Sequence, residues 1–366
     1  MSAEKKPDPQ LTEGEAYKNG LHQKVASPEL LTTLQNQLSG WGITSVKLPN
    51  AGTVLPQPTS VQYFEDKNGL PAPACYTVAR LTEHQKIIDA YINGDDDAIT
   101  PVEHPVAIAV MGPPGAGKMT FLDLVRGNSE NYIQSFAAIL EQMKAGNISV
   151  PRDELRGGAI TNTVYLNTHI IMAVLPEFKE YQEAYGDLVA TALLAEESRH
   201  IADKIMLTAI ETKRSFIRDT SLTALDSPES VFVFSRLDQR GYETHIINLT
   251  VSPEEALHRI QERESTLPHG GVVDPSDILE KARSSAADLQ QATQLAQRVY
   301  VFDANNRDVP GFEMIAYAEK GKAITKLDAV KYTIFEKNTS VNPNARNPDE
   351  VFSRVRVASA SHDLTF

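Results

Sequence analysis

The stretch that decides the fold is residues 105–122, "PVAIAVMGPPGAGKMTFL". Its first part, "VAIAVM", is a short apolar run of the kind that makes a fully buried strand. The next part fits G-x-x-x-x-G-K, from Gly112 through Gly117 to Lys118, and "KMTFLDLVR" then resumes a helical pattern. Strand, glycine-rich turn and helix in that order make a phosphate-binding loop. Glycines let backbone N–H groups close around phosphate oxygens, and the helix N-terminus adds a partial positive charge. Gly112, Gly115, Ala116, Gly117, Lys118, Met119 and Thr120 are therefore candidate nucleotide-binding residues, with Lys118 reaching the terminal phosphates. In such loops a Ser or Thr follows the lysine and its hydroxyl holds Mg²⁺. Here Met119 stands there, and a soft thioether is a poor ligand for an ion that takes hard oxygen. Thr120 carries the next hydroxyl, turned roughly 100° further around the helix.

Outward from this loop the chain alternates between strand and helix patterns, which predicts parallel strands with helical crossovers. Strands are expected at 106–111, 163–166, 215–218, 244–251 and 299–302. Helices are expected at 82–93, 118–126, 132–144, from 170 through 175 and onward, 188–213, 227–240, 254–263 and 275–298. The fold expected is a P-loop α/β three-layer sandwich with a five-stranded, mainly parallel sheet, its ligands beyond the carboxyl ends of the strands. Residues 1–25 read as a loose tail and 26–80 as an N-terminal extension, with a helix from Ser27 to Gly40 and a short strand at 60–64. The α/β domain spans 81–310, and 311–366 form a C-terminal extension whose stretch 315–338, "IAYAEKGKAITKLDAVKYTIFEKN", reads as a small β element or hairpin.

Composition narrows the partners. Hydrophobic residues make up 41% and charged ones 23%, the balance of a globular chain. The net charge of −13, from 48 acidic and 35 basic residues, argues against a general nucleic-acid binder. A phosphate site must then be local, built from one loop and a few basic side chains. A single cysteine, Cys75, excludes an internal disulfide and fits a reducing compartment. No apolar run approaches the ~18 residues of a membrane span, and "MSAEKKPDPQ" has no signal-peptide core. The expectation is a cytoplasmic protein where it is made, compatible with delivery elsewhere by a route that cleaves no signal.

From about 81 to about 303 the sequence resembles the zeta-toxin family of small-molecule kinases. The segments that carry the resemblance are "PVAIAVMGPPGAGK", "VYLNTHIIMAVLPEFKEY", "EESRHIADKIMLTAIETKRSFIRDTSL" and "GYETHIINLTVSPEEALHRIQERE". The resemblance implies a nucleoside-kinase-like fold and transfer of the γ-phosphate of ATP or GTP, with Mg²⁺. The acceptor is a hydroxyl of a nucleotide-type small molecule such as UDP-N-acetylglucosamine or NAD, in a toxin or effector role. It also implies an inhibitory antitoxin or chaperone protein as partner. Three positions depart from the family pattern: Met119 replaces the metal-binding hydroxyl, His169 the aspartate that accepts the substrate proton, and Gly271 a lid arginine. The alternative is therefore a degenerate member that binds nucleotide or a partner protein without catalysis.

By the same resemblance Lys118, His169 and Asp219 are the catalytic candidates, and Arg259 and Arg263 the cations against phosphate. Asn167 and Ser221 are substrate candidates, and Thr120 and Asp219 metal candidates. Each has a plainer reading. His169 can be a polar helix-start residue and Asp219 or Ser221 a turn cap. Arg259 and Arg263, four apart on one helix face, can pair with Glu255 or Glu262. Glu197 and His200 in "AEESRH" have metal-like spacing but no second such pair, and read as helix-surface charge.

Overall fold

The computed structural model describes residues 48–52, 78–93, 99–126, 162–219, 227–266, 275–305, 312–342 and 351–352, with a few isolated positions besides. The expected tail, the strand at 60–64, the helix at 132–144, Cys75, Ser221 and Gly271 lie outside the described residues, as does most of the helix at 27–40. The chain divides into two compact units, Met1–Ile92 with Asn167–Ile205, and Asn93–Leu166 with Met206–Phe366.

The larger unit is built on β1 (Val106–Met111), whose six residues are buried save Ala109. An apolar strand with no polar face needs neighbours on both edges and layers on both faces. It has β3 (Phe216–Asp219) on one edge and β4 (Glu243–Thr250) on the other, both parallel. The sheet has seven strands in the order β2-β3-β1-β4-β5-β6-β7, where β2 is Val164–Asn167, β5 Arg298–Asp303, β6 Glu313–Glu319 and β7 Thr325–Lys326. The chain leaves β1 for β2, returns through β3 and only then crosses to β4, so the strand order reverses beside β1. That is where ligands bind in open α/β sheets.

The five expected strands stand at nearly the expected residues, with β3, β1, β4 and β5 parallel. The sheet is nevertheless larger than expected, because β6 adds to β5 and β7 to β6, both antiparallel. The hairpin expected as a separate extension thus continues the main sheet, and its Met314 sits in the same core as Ile108, Val110 and Phe302. The alternating "EMIAYAE" buries three successive residues, Met314 to Ala316, which an edge extension would not need. Helix α2 (Lys118–Arg126) gives that core Phe121 and Leu122, α7 (Pro253–Thr266) gives Ala256 and Ile260, and α8 (Pro275–Ala287) gives Ile278. The single helix expected at 275–298 is broken at Asp288, and α9 (Leu289–Leu295) follows. Helix α6 (Pro228–Arg240) starts on Ser227, whose hydroxyl accepts from the Ser230 amide, and stops on the left-handed Gly241. A last helix, α10 (Ala329–Lys337), is capped by Asp328, which accepts from two backbone amides.

The smaller unit holds α1 (Val78–Asn93), α3 (Thr168–Ala173), α4 (Pro176–Tyr185) and the first part of α5 (Asp187–Glu211). Its centre is a buried charge cluster. Arg80 of α1 donates Nη1 to Glu177 Oε1 at 2.8 Å and Nε to Glu197 Oε1 at 2.5 Å, while His84 Nε2 lies 2.6 Å from the same Glu197 oxygen. Glu197 is fully buried, which corrects the reading of "AEESRH" as a surface pattern. Periodicity placed it on a helix but could not show that an arginine 117 residues away would come to meet it. Among the described residues no group of three or more His, Cys, Asp or Glu side chains could hold a metal ion.

Two outcomes test this core. Replacing Arg80 by Ala leaves Glu177 and Glu197 buried without their cation and should cost about 3–5 kcal/mol in chemical denaturation. His200, whose ring centre lies 5.9 Å from that of His84, is pushed down from 6.5 to about 4 by burial, with His84 and Lys204 adding repulsion against the pull of Glu197. A histidine held neutral contributes stability that is present above its unfolded pKa and lost as pH falls toward the folded one. The melting temperature should therefore drop between about pH 6.5 and pH 4, and His200→Asn should flatten that part of the profile.

Candidate phosphate-binding site

Three glycines shape the loop after β1. Gly112, Gly115 and Gly117 have φ of 142°, 82° and 79°, conformations that side chains oppose. Space is lacking as well. A Cβ on Gly112 would meet the Leu249 carbonyl of β4 at 2.5 Å, and one on Gly115 would meet the Ala256 carbonyl of α7 at 2.8 Å. The loop is thus pressed between β1, β4 and α7. The Ala116 amide closes a turn onto the Pro113 carbonyl, and the first intrahelical bond of α2 runs from the Phe121 amide to Gly117. The amides before Phe121 belong to a helix N-terminus, where N–H groups have no intrahelical partner and favour an anion.

Beneath the loop Phe121 is fully buried, its ring tilted against that of Phe302 of β5 at 5.0 Å and edge-on to Phe312 at 5.1 Å. Burying that ring is worth about 2–3 kcal/mol and fixes where the helix begins.

Lys118 turns back over the loop, donating Nζ to the Gly112 carbonyl at 3.1 Å and the Pro113 carbonyl at 3.4 Å. Its ammonium lies where it would meet a bound phosphate. Burial pushes its pKa below the usual lysine range, Asp219 pulls it back up, and Lys281 of α8 repels it. Asp219 ends β3 in register with Val110, two residues before Gly112, so the expected loop lysine and acidic residue do come together. Lys281 was missed by the sequence reading, since a lone lysine in "ILEKARSS" carries no motif.

Arg259 is brought to the loop, but as a clamp. Its Nε donates to Glu255 at 2.7 Å, Nη1 to the Gly115 carbonyl at 3.1 Å and Nη2 to the Ala304 carbonyl at 2.7 Å. One planar guanidinium therefore ties the loop to α7 and to the end of β5. Of Arg263 only its place in α7 is described.

Asn167 and His169 belong to the smaller unit. The Asn167 carbonyl oxygen caps α3, accepting from the His169 amide at 2.9 Å and the Ile170 amide at 3.4 Å, and His169 is exposed.

Met119 is 45% exposed, and its sulfur lies 2.8 Å from the hydroxyl of Tyr165 on β2. The same hydroxyl is 3.3 Å from Asp219 Oδ2. Tyr165 was also missed, because "VYLN" reads simply as an alternating strand. The phosphates of a nucleotide fit this loop: positive φ at three glycines curls the backbone ahead of the α2 N-terminus, and the Lys118 ammonium folds back over it. A directly bound magnesium ion does not fit, because the position for its hydroxyl ligand holds a thioether.

The ends of β4 and β5 open into a cavity of about 720 Å³, lined by Ser252, Glu254, Asp303, Asn305, Ile334 and Phe335 among others. Asn305 Oδ1 accepts from the Ser252 amide at 2.7 Å across its floor. Asp303 and Asn305 flank Ala304, the residue that Arg259 ties to Gly115, so the cavity wall and the loop share one guanidinium.

With the geometry in place, the comparison with known families is direct. Residues 149–309 match the zeta toxin family. The match confirms the resemblance over β2 to β5, and it begins after the phosphate loop, so the loop stands on its own geometry. No curated protein matches the chain. Among solved structures, one from the PezAT chromosomal toxin-antitoxin system of Streptococcus pneumoniae is 13% identical with a TM-score of 0.46, covering 79% of this chain and 96% of its own. The AvrRxo1-ORF1:-ORF2 complex is 13% identical with a TM-score of 0.47, covering 80% and 90%. The same pair with ATP is 13% identical with a TM-score of 0.45, covering 73% of each chain. No helix among the described residues is long and apolar enough to cross a membrane.

Replacing Arg259 by Lys keeps a charge but cannot span Gly115, Ala304 and Glu255 together. Amide exchange at residues 115–118 should rise at least about tenfold by mass spectrometry, for a loss of roughly 1.5–3 kcal/mol of local stability.

Proposed function

We propose that this protein is a zeta-toxin-like kinase: it binds ATP or GTP at the loop of Gly112–Lys118 and transfers the γ-phosphate to a hydroxyl of a nucleotide-type small molecule, in a toxin or effector role. The observation that carries the reading is the loop itself. Three glycines in conformations that only glycine takes up easily bring a helix N-terminus and Lys118 together at one loop.

In this reading the backbone amides and Lys118 hold the donor phosphates, and Arg259 keeps the loop in shape, with Arg263 and Lys281 as further cations. The bond from the γ-phosphorus to the β-bridging oxygen breaks as the bond to the acceptor oxygen forms, and the acceptor proton goes to His169, the residue at the family's base position. Asp219, Asn167 and Ser221 are the substrate-side candidates. The cavity at the ends of β4 and β5 is of a size for the base and ribose of a nucleotide. An inhibitory partner protein and delivery into a target cell belong to the same reading.

A second reading has an observation of its own. Met119 packs its sulfur on Tyr165, the position where a metal-dependent kinase has a hydroxyl, which favours a protein that binds nucleotide and works by binding. The two part in one experiment. The chain is incubated with ATP and a panel of nucleotide sugars and dinucleotides, and products are followed by mass spectrometry. Transfer of one phosphoryl group, reduced at least about 100-fold by Lys118→Ala, supports the kinase. Binding of ATP in calorimetry with no product from any acceptor supports the second reading and overturns the first.

A further inference from the structure

The departure at position 119 has a neighbour that answers it. Tyr165 stands on β2 between Val164 and Leu166, which are buried, while Tyr165 is half-buried and turned to the other side of the strand. Its hydroxyl lies 2.8 Å from Met119 Sδ and 3.3 Å from Asp219 Oδ2. The sulfur belongs to the residue after the loop lysine, and the carboxylate to the residue in register with Val110 at the end of β1. The phenol therefore sits where the loop, the first turn of α2 and the carboxyl end of β3 converge.

The shorter of the two contacts is to a thioether, a weak acceptor, and the Asp219 carboxylate lies further off at 3.3 Å, so the hydroxyl gives up no short hydrogen bond to oxygen by turning to a phosphate. A phosphate oxygen is a better acceptor than the sulfur, since hydrogen bonds to ionised oxygen are about twice as strong as neutral ones. A carboxylate at this place would repel phosphate unless a cation or a donor stood between them. In a metal-dependent site the ion does that. Here Lys118, which feels the charge of Asp219, and the Tyr165 O–H are the groups in position.

We propose that Tyr165 supplies the hydroxyl that position 119 lacks: with nucleotide in the loop, its O–H donates to a terminal phosphate oxygen, so that protein donors hold the phosphates without a bridging magnesium ion. This rests on the nucleotide-binding reading above.

The test is calorimetric titration of the full chain with ATP, once in EDTA and once in excess magnesium chloride, with melting temperatures recorded for every variant. The expected result is equal affinity in the two buffers, and a loss of about tenfold in EDTA for Tyr165→Phe at an unchanged melting temperature. Met119→Ser should tighten binding only when magnesium is present and should recover the Tyr165→Phe loss there, which a merely structural role for the phenol would not do. Unchanged affinity of Tyr165→Phe in EDTA overturns the proposal while the nucleotide-binding reading stands, and so does ATP binding by the unaltered chain that requires magnesium. No ATP binding by the unaltered chain in either buffer overturns the nucleotide-binding reading itself, and this inference with it.

Discussion

The constraint on which the larger unit depends is the lack of space at Gly112 and Gly115. Their backbone lies so close to the Leu249 and Ala256 carbonyls that no side chain fits. That closeness forces the loop to curl, with positive φ at three glycines, and the curl aims the first amides of α2 into one concavity. Everything else around the site can be read as holding the compression. Phe121 anchors the helix from below, and Arg259 reaches across three elements to hold the Gly115 carbonyl. A loop of this shape without those supports would be an ordinary turn.

The electrostatics follow from the same crowding. Burial works against the Lys118 charge, and the nearby Lys281 adds to that, with Asp219 alone opposing them among the named groups. A lysine in this condition gains from an arriving anion, because the anion restores the counter-charge that burial removed. The two backbone carbonyls that now accept from Lys118 are weaker partners than phosphate oxygens. The Arg80 cluster of the smaller unit is the opposite case: its cation is already matched to Glu177 and Glu197, and it is organised for stability.

What the sequence disclosed, and what it hid, divides by range of interaction. The strand at 106–111 and the helix at 118–126 were legible to the residue, because a buried run, a glycine turn and a helix start are local patterns. The stretch 315–338 was read as a small β extension or hairpin; its first part is β structure that pairs with β5 in the main sheet, a non-local choice, and its last part is helix α10. Asp219 beside Lys118 was readable through the P-loop topology. Tyr165 was not, because its meaning lies in a sulfur 46 residues away. Arg259 was read as a phosphate cation or a helix-face partner. It does pair with Glu255, and the additional hold on Gly115 and Ala304 could be seen only once β5 had come to lie beside α7.

That separation bears on how the change at 119 should be understood. Position 119 lies outside the part of the chain that matches zeta toxins, and Tyr165 lies inside it. If Met119 were a packing residue, its replacement would cost stability in proportion to the apolar area it buries. At 45% exposed it buries little, so its removal should barely disturb the fold. Its effect must then be chemical: it takes a hard oxygen away from the loop and gives the phenol of Tyr165 a weak acceptor to rest on. The two side chains touch, so the change within "GPPGAGKMT" is felt on β2 as well as in the loop. A serine at 119 restores a ligand for magnesium. With methionine there, the donors left beside the loop are the lysine, the amides at the start of α2 and the phenol of Tyr165.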